Sequence, residues 1–256
     1  MHININSKKI AVSHLNEYSK RPTLILLHDS LGCIALWRDF PKQLSATTQC
    51  NVLVYDRLGY GNSDSFITEE RDNFYMESEA DLLNDLLELF QIDEAILFGH
   101  SDGGTIALLT AAKYPNRIKA VITEGAHVFV EEITINGIKE AIIQYETTDL
   151  KQKLEKYHGS KTDALFWAWA KTWTSNTFRS WNIEHFLPLI TCPTLIIQGT
   201  NDEYGTLNQV ESICNNVSGQ AKKLILDKIK HTPHKEAPSL IIDECRQFIM
   251  NLDDNL

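Results

Sequence analysis

The feature that most constrains the fold of this chain is one pentapeptide, together with the residues on either side of it. Residues 99–103 read Gly-His-Ser-Asp-Gly, which matches the pattern G-x-S-x-G. The apolar run Ala95–Phe98 ends directly before the pattern, and a stretch of small and apolar residues, Thr105–Lys113, follows it. This order of strand, turn and helix predicts that Ser101 lies at the carboxyl end of a strand, where open α/β sheets bind ligands. The alternative is a glycine-rich turn that carries no chemistry.

Short apolar runs recur along the chain and indicate a sheet. None of them alternates apolar with polar residues, which is typical of strands that are covered on both faces. The segments between them are amphipathic at helical spacing, as between Glu77 and Phe90, and Pro238 stands where a last helix would begin. Strands that alternate with helices predict a mainly parallel sheet with helices on both sides. The six runs are Leu24–Leu27, Val52–Tyr55, Ala95–Phe98, Ala120–Thr123, Leu195–Ile197 and Leu224–Leu226.

Charge and composition exclude several classes of function. The formal net charge of −10 at pH 7 disfavours nucleic acid and anionic membranes as partners, because both repel an acidic chain. No apolar stretch has the length of a signal-peptide core or of a membrane span. The five cysteines form no C-x-x-C pattern, so we expect reduced core thiols in a cytoplasmic protein that needs neither a metal nor an organic cofactor. We expect a monomer or a homodimer.

The alternation of strands and helices breaks between residues 128 and 186. This stretch is helical in pattern, and apolar residues at i, i+3, i+4 and i+7 from Phe166 form one face. The face either packs the stretch against the main domain or lets Trp169 and Trp173 line a substrate pocket. We therefore predict a core domain, residues 1–127 and 187–256, and an inserted helical lid, residues 128–186. Four of the five tryptophans lie in the lid: Trp167, Trp169, Trp173 and Trp181.

A serine hydroxyl needs a base to become a nucleophile, and the base needs an acid that orients it. Asp202 follows the fifth apolar run and His231 follows the sixth, so both are predicted at the edge of the sheet that carries Ser101. Glu124, directly after the fourth run, is a rival for the role of the acid. Glu203 is a second rival, but it is expected to point elsewhere.

One further histidine, His234, competes with His231 for the role of the base. His234 lies nearer the final helix and suits a role in supporting the loop, whereas His231 lies nearer the end of the strand. His100 is interpreted as a structural neighbour of Ser101 within the pentapeptide. His231 is therefore the preferred base.

Acyl transfer also requires backbone donors for the oxyanion of its tetrahedral intermediate. The N–H group of Asp102 is one, because it follows the nucleophile at a helix N-terminus, whose dipole favours negative charge. The second is expected from the loop after the first apolar run, residues 28–32, and we choose the N–H group of Ser30.

Four blocks of sequence carry a family resemblance: HDSLG at 28–32, DRLGYGNS at 56–63, GHSDGG at 99–104 and HTPHKEAP at 231–238. Together they resemble the α/β-hydrolase fold superfamily, in its branch of small single-domain serine esterases and C–C bond hydrolases. The resemblance implies a mostly parallel eight-stranded sheet flanked by helices, with a helical lid inserted after the sixth strand. It also implies His231 as the base. Asp29 stands where the family usually has glycine, and aspartate enters left-handed conformations less freely.

The resemblance and the predicted site together imply a carboxylesterase that uses Ser101, His231 and Asp202 in an acyl-enzyme mechanism. The apolar lid and the acidic composition favour a small, largely apolar and uncharged ester. One alternative is a C–C bond hydrolase of a ring-cleavage diketone. Such substrates usually carry a carboxylate, for which Arg179 or Lys171 would supply a cation. Another alternative is a ligand receptor with slow turnover on the same fold.

Overall fold

The computed structural model describes residues 1–66 and 71–253, and its centre is one sheet. The strands are β1 (His2–Ile5), β2 (Lys8–Leu15), β3 (Thr23–Leu27), β4 (Asn51–Tyr55), β5 (Ala95–His100), β6 (Ile118–Glu124), β7 (Thr194–Gly199) and β8 (Ala221–Leu226). Their order is β1-β2-β4-β3-β5-β6-β7-β8. The pairs β1/β2 and β2/β4 are antiparallel, and the other neighbours are parallel. The predicted mostly parallel eight-stranded sheet is confirmed.

Helices cover both faces of this sheet. Those of the described residues are α1 (Phe40–Thr48), α2 (Tyr75–Leu89), α3 (Asp102–Lys113), α4 (Glu132–Thr147), α5 (Leu150–His158), α6 (Thr162–Thr174), α7 (Leu207–Asn216), α8 (Pro233–Glu236) and α9 (Pro238–Asp253). Side chains of α1 and α9 form the core on one face, and side chains of α2, α3 and α7 form the core on the other. None of the helices in the described ranges combines the length and the apolar character needed to cross a membrane.

Strand β3 shows why the apolar runs are uninterrupted. Successive side chains of a strand point to opposite faces of its sheet. Leu24 and Leu26 therefore pack with α1 and α9, while Ile25 and Leu27 pack with α2 and α3. Each such side chain contributes roughly 1.5–3 kcal/mol when it is fully buried. Because both faces are buried, every position from Leu24 to Leu27 is apolar.

The last strand departs from this rule. The sequence predicts that all six apolar runs are covered on both faces, and this is wrong for Leu224–Leu226. β8 is the edge strand, Lys222 and Lys223 are exposed, and Leu224 and Ile225 are only partly buried. Exposed lysines on an edge strand discourage pairing with another chain.

The chain between β6 and β7, residues 125–193, contains α4, α5 and α6, and we call it the inserted segment. The apolar face predicted on α6 is buried, and Trp169 and Trp173 belong to it. One histidine of the segment forms hydrogen bonds to both the loop after β3 and the loop after β4. His158 Nε2 donates to Leu31 O at 3.0 Å, and His158 Nδ1 accepts from the Gly61 N–H group at 3.0 Å. The inserted segment is thereby held over the carboxyl edge of the sheet.

Candidate active site

Ser101 occupies a strained turn between β5 and α3. Its backbone has φ 55° and ψ −121°, in a region that residues other than glycine rarely adopt. The glycines of the motif permit this turn. A Cβ atom on Gly99 would lie 2.2 Å from the carbonyl oxygen of Gly103, and one on Gly103 would lie 2.1 Å from that of Leu27. The strand-to-helix turn predicted from the motif is present, and α3 begins at Asp102, directly after Ser101.

Asp202 and His231 form a hydrogen-bonded pair beyond the ends of β7 and β8. His231 Nδ1 lies 2.9 Å from both carboxylate oxygens of Asp202. Asp202 Oδ1 also accepts the backbone N–H groups of Tyr204, at 2.8 Å, and Gly205, at 3.2 Å. These two backbone hydrogen bonds hold the Asp202 carboxylate in its orientation toward His231. With a proton on Nδ1, the imidazole keeps a lone pair on Nε2, on the side of the ring away from Asp202.

The pKa values of this pair are shifted in opposite directions. Burial alone would lower the pKa of His231, but the charge and hydrogen bond of Asp202 outweigh burial and raise it above 6.5. Burial alone would raise the pKa of Asp202, but His231 and the Tyr204 N–H group lower it below 3.8. Both shifts follow from an opposite charge within hydrogen-bonding distance. Asp202 is therefore suited to stabilise an imidazolium on His231.

Ser101 and His231 line one cavity of about 250 Å³. Ser30, Asp102, Trp169 and Trp173 line the same cavity, so the residues predicted as oxyanion donors and as substrate contacts are brought together with the predicted nucleophile and base. In the part of the chain that the structure describes, the Ser101 hydroxyl makes no hydrogen bond. Catalytic hydrogen bonds are often long before substrate binds.

The two predicted oxyanion donors are geometrically available. Asp102 is the first residue of α3, so its N–H group has no acceptor within the helix. The Ser30 N–H group donates to no acceptor among residues 1–66 and 71–253. Asp29 is absent from the described non-glycine residues with positive φ. The loop therefore does not require a left-handed residue where the family usually has glycine.

The rival acid and the rival histidine form a second pair, and neither side chain lines the cavity that contains the serine. His234 Nδ1 lies 2.6 Å from Glu124 Oε2, and the His234 ring packs on Trp37 with centroids 4.5 Å apart. His100 Nε2 donates to the carbonyl oxygen of His231 at 2.8 Å, which supports its predicted structural role. The structure thus pairs Glu124 with His234 and leaves Asp202 for His231.

Glu203, the second rival for the acid, and His127, for which the sequence analysis predicts no role, also line the cavity. Glu203 was expected to point elsewhere, but its Oε2 accepts the backbone N–H group of His231 at 3.3 Å. It contacts the histidine's backbone and not its ring. His127 Nε2 donates to the carbonyl oxygen of Tyr204 at 3.1 Å. The position of His127 just beyond β6 could have predicted its place at the cavity, because the loops that follow parallel strands meet at one edge of the sheet.

The two basic residues considered for a substrate carboxylate lie elsewhere. Arg179 pairs with Glu132 at 2.6 Å on the surface, and Lys171 lies 5.7 Å from the centroid of the Trp167 ring. Neither residue lines the cavity. Among the described residues, no group of three or more His, Cys, Asp or Glu side chains could hold a metal ion.

Comparisons with known proteins identify the family and agree with the fold. A family model described as the alpha/beta hydrolase fold matches residues 22–183. Serine hydrolase BPHL of Mus musculus is 27% identical over 251 residues, covering 90% of this chain and 81% of that protein. A 2-hydroxy-6-oxononadienedioate/2-hydroxy-6-oxononatrienedioate hydrolase of Paraburkholderia phymatum is 25% identical over 218 residues, covering 73% of each. The enol-lactonase of Burkholderia xenovorans LB400 superposes with a TM-score of 0.78 at 17% identity, covering 98% of this chain and 100% of that one.

Proposed function

This chain belongs to the α/β-hydrolase fold family, and on that premise we propose that it is a serine hydrolase that cleaves small, uncharged carboxylic esters. The observation that carries the proposal is the hydrogen-bonded pair of Asp202 and His231 at the cavity that also contains Ser101. A base that is oriented by a buried carboxylate, beside a serine on a strained turn, is the arrangement that nucleophilic acyl transfer requires.

The proposed reaction has two steps. In the first, Ser101 Oγ attacks the ester carbonyl while its proton passes to His231 Nε2. The resulting oxyanion accepts hydrogen bonds from the N–H groups of Ser30 and Asp102. The C–O bond to the alcohol then breaks, and the alcohol leaves with the proton from His231. In the second step, water attacks the acyl-enzyme as His231 takes its proton, and the acid departs as Ser101 regains a proton. Asp202 stabilises the imidazolium in both steps.

The charge of the cavity favours an uncharged substrate. Asp29 and Glu203 line it, and no lysine or arginine does among the described residues. An anionic substrate would therefore meet carboxylates without a compensating cation. The Paraburkholderia phymatum relative is named for a dicarboxylate. For this chain the lining supports an ester over a carboxylate-bearing diketone, and Trp169 and Trp173 supply an apolar wall for the acyl or alcohol group.

The proposal is tested with a panel of short aryl and alkyl esters and a ring-cleavage diketone. We expect hydrolysis of the esters, and we expect Ser101→Ala to lower kcat by roughly 10⁴- to 10⁶-fold. Ser45→Ala is the control, because Ser45 is also buried but donates to the carbonyl oxygen of Cys50, remote from the cavity. Near-normal activity of Ser101→Ala would reject the nucleophile, and faster turnover of the diketone would reject the ester. Rapid single acylation with very slow release would instead indicate a receptor.

A further inference from the structure

Resting on the proposed function, we infer that Arg57 is a positioning residue that holds and polarises the peptide group whose N–H receives the oxyanion. Arg57 follows β4, is fully buried, and lies behind the loop that carries Ser30. It does not line the cavity and would not touch the substrate. Arg57 acts through the backbone of the loop that would contact the substrate.

The contact that carries this inference is made to the carbonyl oxygen of Asp29. Arg57 Nη2 donates to this oxygen at 2.9 Å, and His28 Nδ1 donates to it at 2.7 Å. The carbonyl of Asp29 and the N–H group of Ser30 belong to one peptide group. In the described chain no peptide bond is cis, so these two groups point in opposite directions. Two donors that hold the carbonyl from behind therefore direct the N–H group of Ser30 away from Arg57.

His28 is fixed in the tautomer that this arrangement needs. Its Nε2 accepts the backbone N–H group of Arg57 at 3.1 Å, so its Nδ1 must carry the proton that it donates to Asp29. Burial, and then the charge of Arg57, lower the pKa of His28 to about 3, so the ring stays neutral. Arg57 thus holds the Asp29 carbonyl directly through its side chain and indirectly through its own backbone.

The same guanidinium also reaches the residue that provides the second oxyanion donor. Arg57 Nη2 lies 3.7 Å from Asp102 Oδ2, and the Tyr75 hydroxyl donates to that oxygen at 3.4 Å. Trp173 Nε1 donates to the Tyr75 oxygen at 3.1 Å. A continuous set of polar contacts therefore joins both oxyanion residues to a tryptophan of the cavity wall.

The polar contacts of Arg57 do not by themselves explain why a charged guanidinium is buried at this position. Burial alone would lower the pKa of Arg57, but neighbouring groups led by Tyr60 and Glu79 raise it, so the guanidinium stays charged. Its Nε and Nη1 atoms are buried with no hydrogen-bond partner among the described residues. A buried cation with incomplete pairing is unfavourable for stability. A cation behind a peptide group strengthens that group's N–H as a donor, and it does so most where negative charge develops.

The test compares hydrolysis of an ester with hydrolysis of the matching thionoester. A sulfur anion accepts hydrogen bonds more weakly than an oxyanion, so loss of a well-placed N–H donor slows the ester more. We expect Arg57→Gln to lower the ester-to-thionoester ratio of kcat/KM roughly tenfold or more. The change in the ester rate falls on kcat with KM nearly unchanged, because the carbonyl oxygen gains its charge only in the transition state.

The chain offers a matched control in Arg71. Its guanidinium lies near the same Tyr60 ring, donates to the Tyr60 hydroxyl at 2.7 Å, and makes no contact with the Asp29 peptide. We expect Arg71→Gln to leave the ratio unchanged. Arg57→Lys keeps a cation without the planar fork and is expected to give an intermediate ratio. This variant carries the test if near-UV circular dichroism shows that Arg57→Gln does not fold.

The outcomes separate this inference from the proposed function. If the wild type cleaves esters through Ser101 but folded Arg57 variants keep the wild-type ratio, Arg57 is only structural. Equal losses on ester and thionoester would also overturn the inference. If Ser101→Ala retains ester hydrolysis, the proposed function itself fails, whatever the Arg57 variants do.

Discussion

Two histidine–carboxylate pairs lie side by side at the carboxyl edge of the sheet, and they differ in what surrounds them. His231 and His234 come from one short stretch. Their partners lie on adjacent strands, because Asp202 follows β7 and Glu124 is the last residue of β6. Each histidine uses Nδ1 for its carboxylate. Only His231 lines the cavity that contains Ser101, whereas the ring of His234 packs against aromatic side chains of the core.

Burial and pairing do not by themselves distinguish the two pairs, because both carboxylates and both imidazoles are buried and hydrogen-bonded. By distance, the contact of His234 with Glu124 is the shorter of the two, at 2.6 Å against 2.9 Å. The difference lies in the surroundings of each imidazole. His231 lines the cavity that contains Ser101, while the ring of His234 packs against Trp37 and Phe40. We therefore propose that the first pair is catalytic and that the second supports the loop.

The largest expected effect separates the two histidines. His231→Ala removes the base, and kcat is expected to fall roughly 10⁵- to 10⁶-fold. His234→Ala leaves the base and its acid in place, so the kcat of the folded protein is expected to stay within about tenfold of the wild-type value. Ester hydrolysis at a protein concentration measured by absorbance, with near-UV circular dichroism as a check on folding, measures both. Equal losses in the two variants would remove the distinction between the pairs.

The next effect separates the two carboxyl groups. Asp202→Asn keeps the shape of the side chain but loses the charge that orients and stabilises His231, and kcat is expected to fall roughly 10⁴-fold. Glu124→Gln is the matched amide substitution in the other pair, and we expect its kcat to change far less. A steady-state comparison on one ester measures both. A larger loss for Glu124→Gln would make Glu124 the acid.

The two histidine variants are expected to rank in the opposite order by stability: His234→Ala should lower the free energy of unfolding more than His231→Ala does. His234→Ala leaves the fully buried carboxyl of Glu124 without a partner, because its Oε1 already has none among the described residues. Breaking a buried pair in this way costs about 3–5 kcal/mol. His231→Ala costs less, because Asp202 retains the N–H groups of Tyr204 and Gly205. Urea unfolding gives both free energies of unfolding, and a larger loss for His231→Ala would contradict this ranking.

The smallest expected effect is a displacement of the pH profile. The base must be neutral, so kcat/KM should rise with pH as His231 loses its proton, with a midpoint above 6.5 because Asp202 raises the pKa of His231. Asp202→Asn should move the midpoint to lower pH by about one unit or more. His234→Ala should leave it in place. The raised pKa of His231 also adds stability that is complete below pH 6.5 and is lost as pH rises through the folded-state value.

Much of the fold was predictable because its signals are local. Uninterrupted apolar runs specified β3 to β7, and the glycines around Ser101 specified the turn, since a side chain at Gly99 or Gly103 would collide with backbone. The hairpin of β1 and β2 was not predicted. Its two strands mix exposed, partly buried and buried positions without a regular period, and the turn between them carries no glycine.

The pairing of acids with histidines was only partly predictable. Strand order places β6 beside β7, so Glu124 and Asp202 both arrive near the loop of residues 231–234. Nothing in the sequence says which carboxylate each imidazole reaches. Arg57 was equally hidden, because its role depends on a contact with the Asp29 carbonyl, 28 residues away. Such contacts arise from tertiary packing and leave no local pattern.

The claim that His231, and not His234, activates Ser101 is tested most directly by covalent labelling with an aryl fluorophosphonate and peptide mass spectrometry. We predict one adduct on Ser101 in the wild type, an adduct at a similar rate in His234→Ala, and almost none in His231→Ala. An adduct on another residue, or labelling of His231→Ala as fast as the wild type, would contradict the claim.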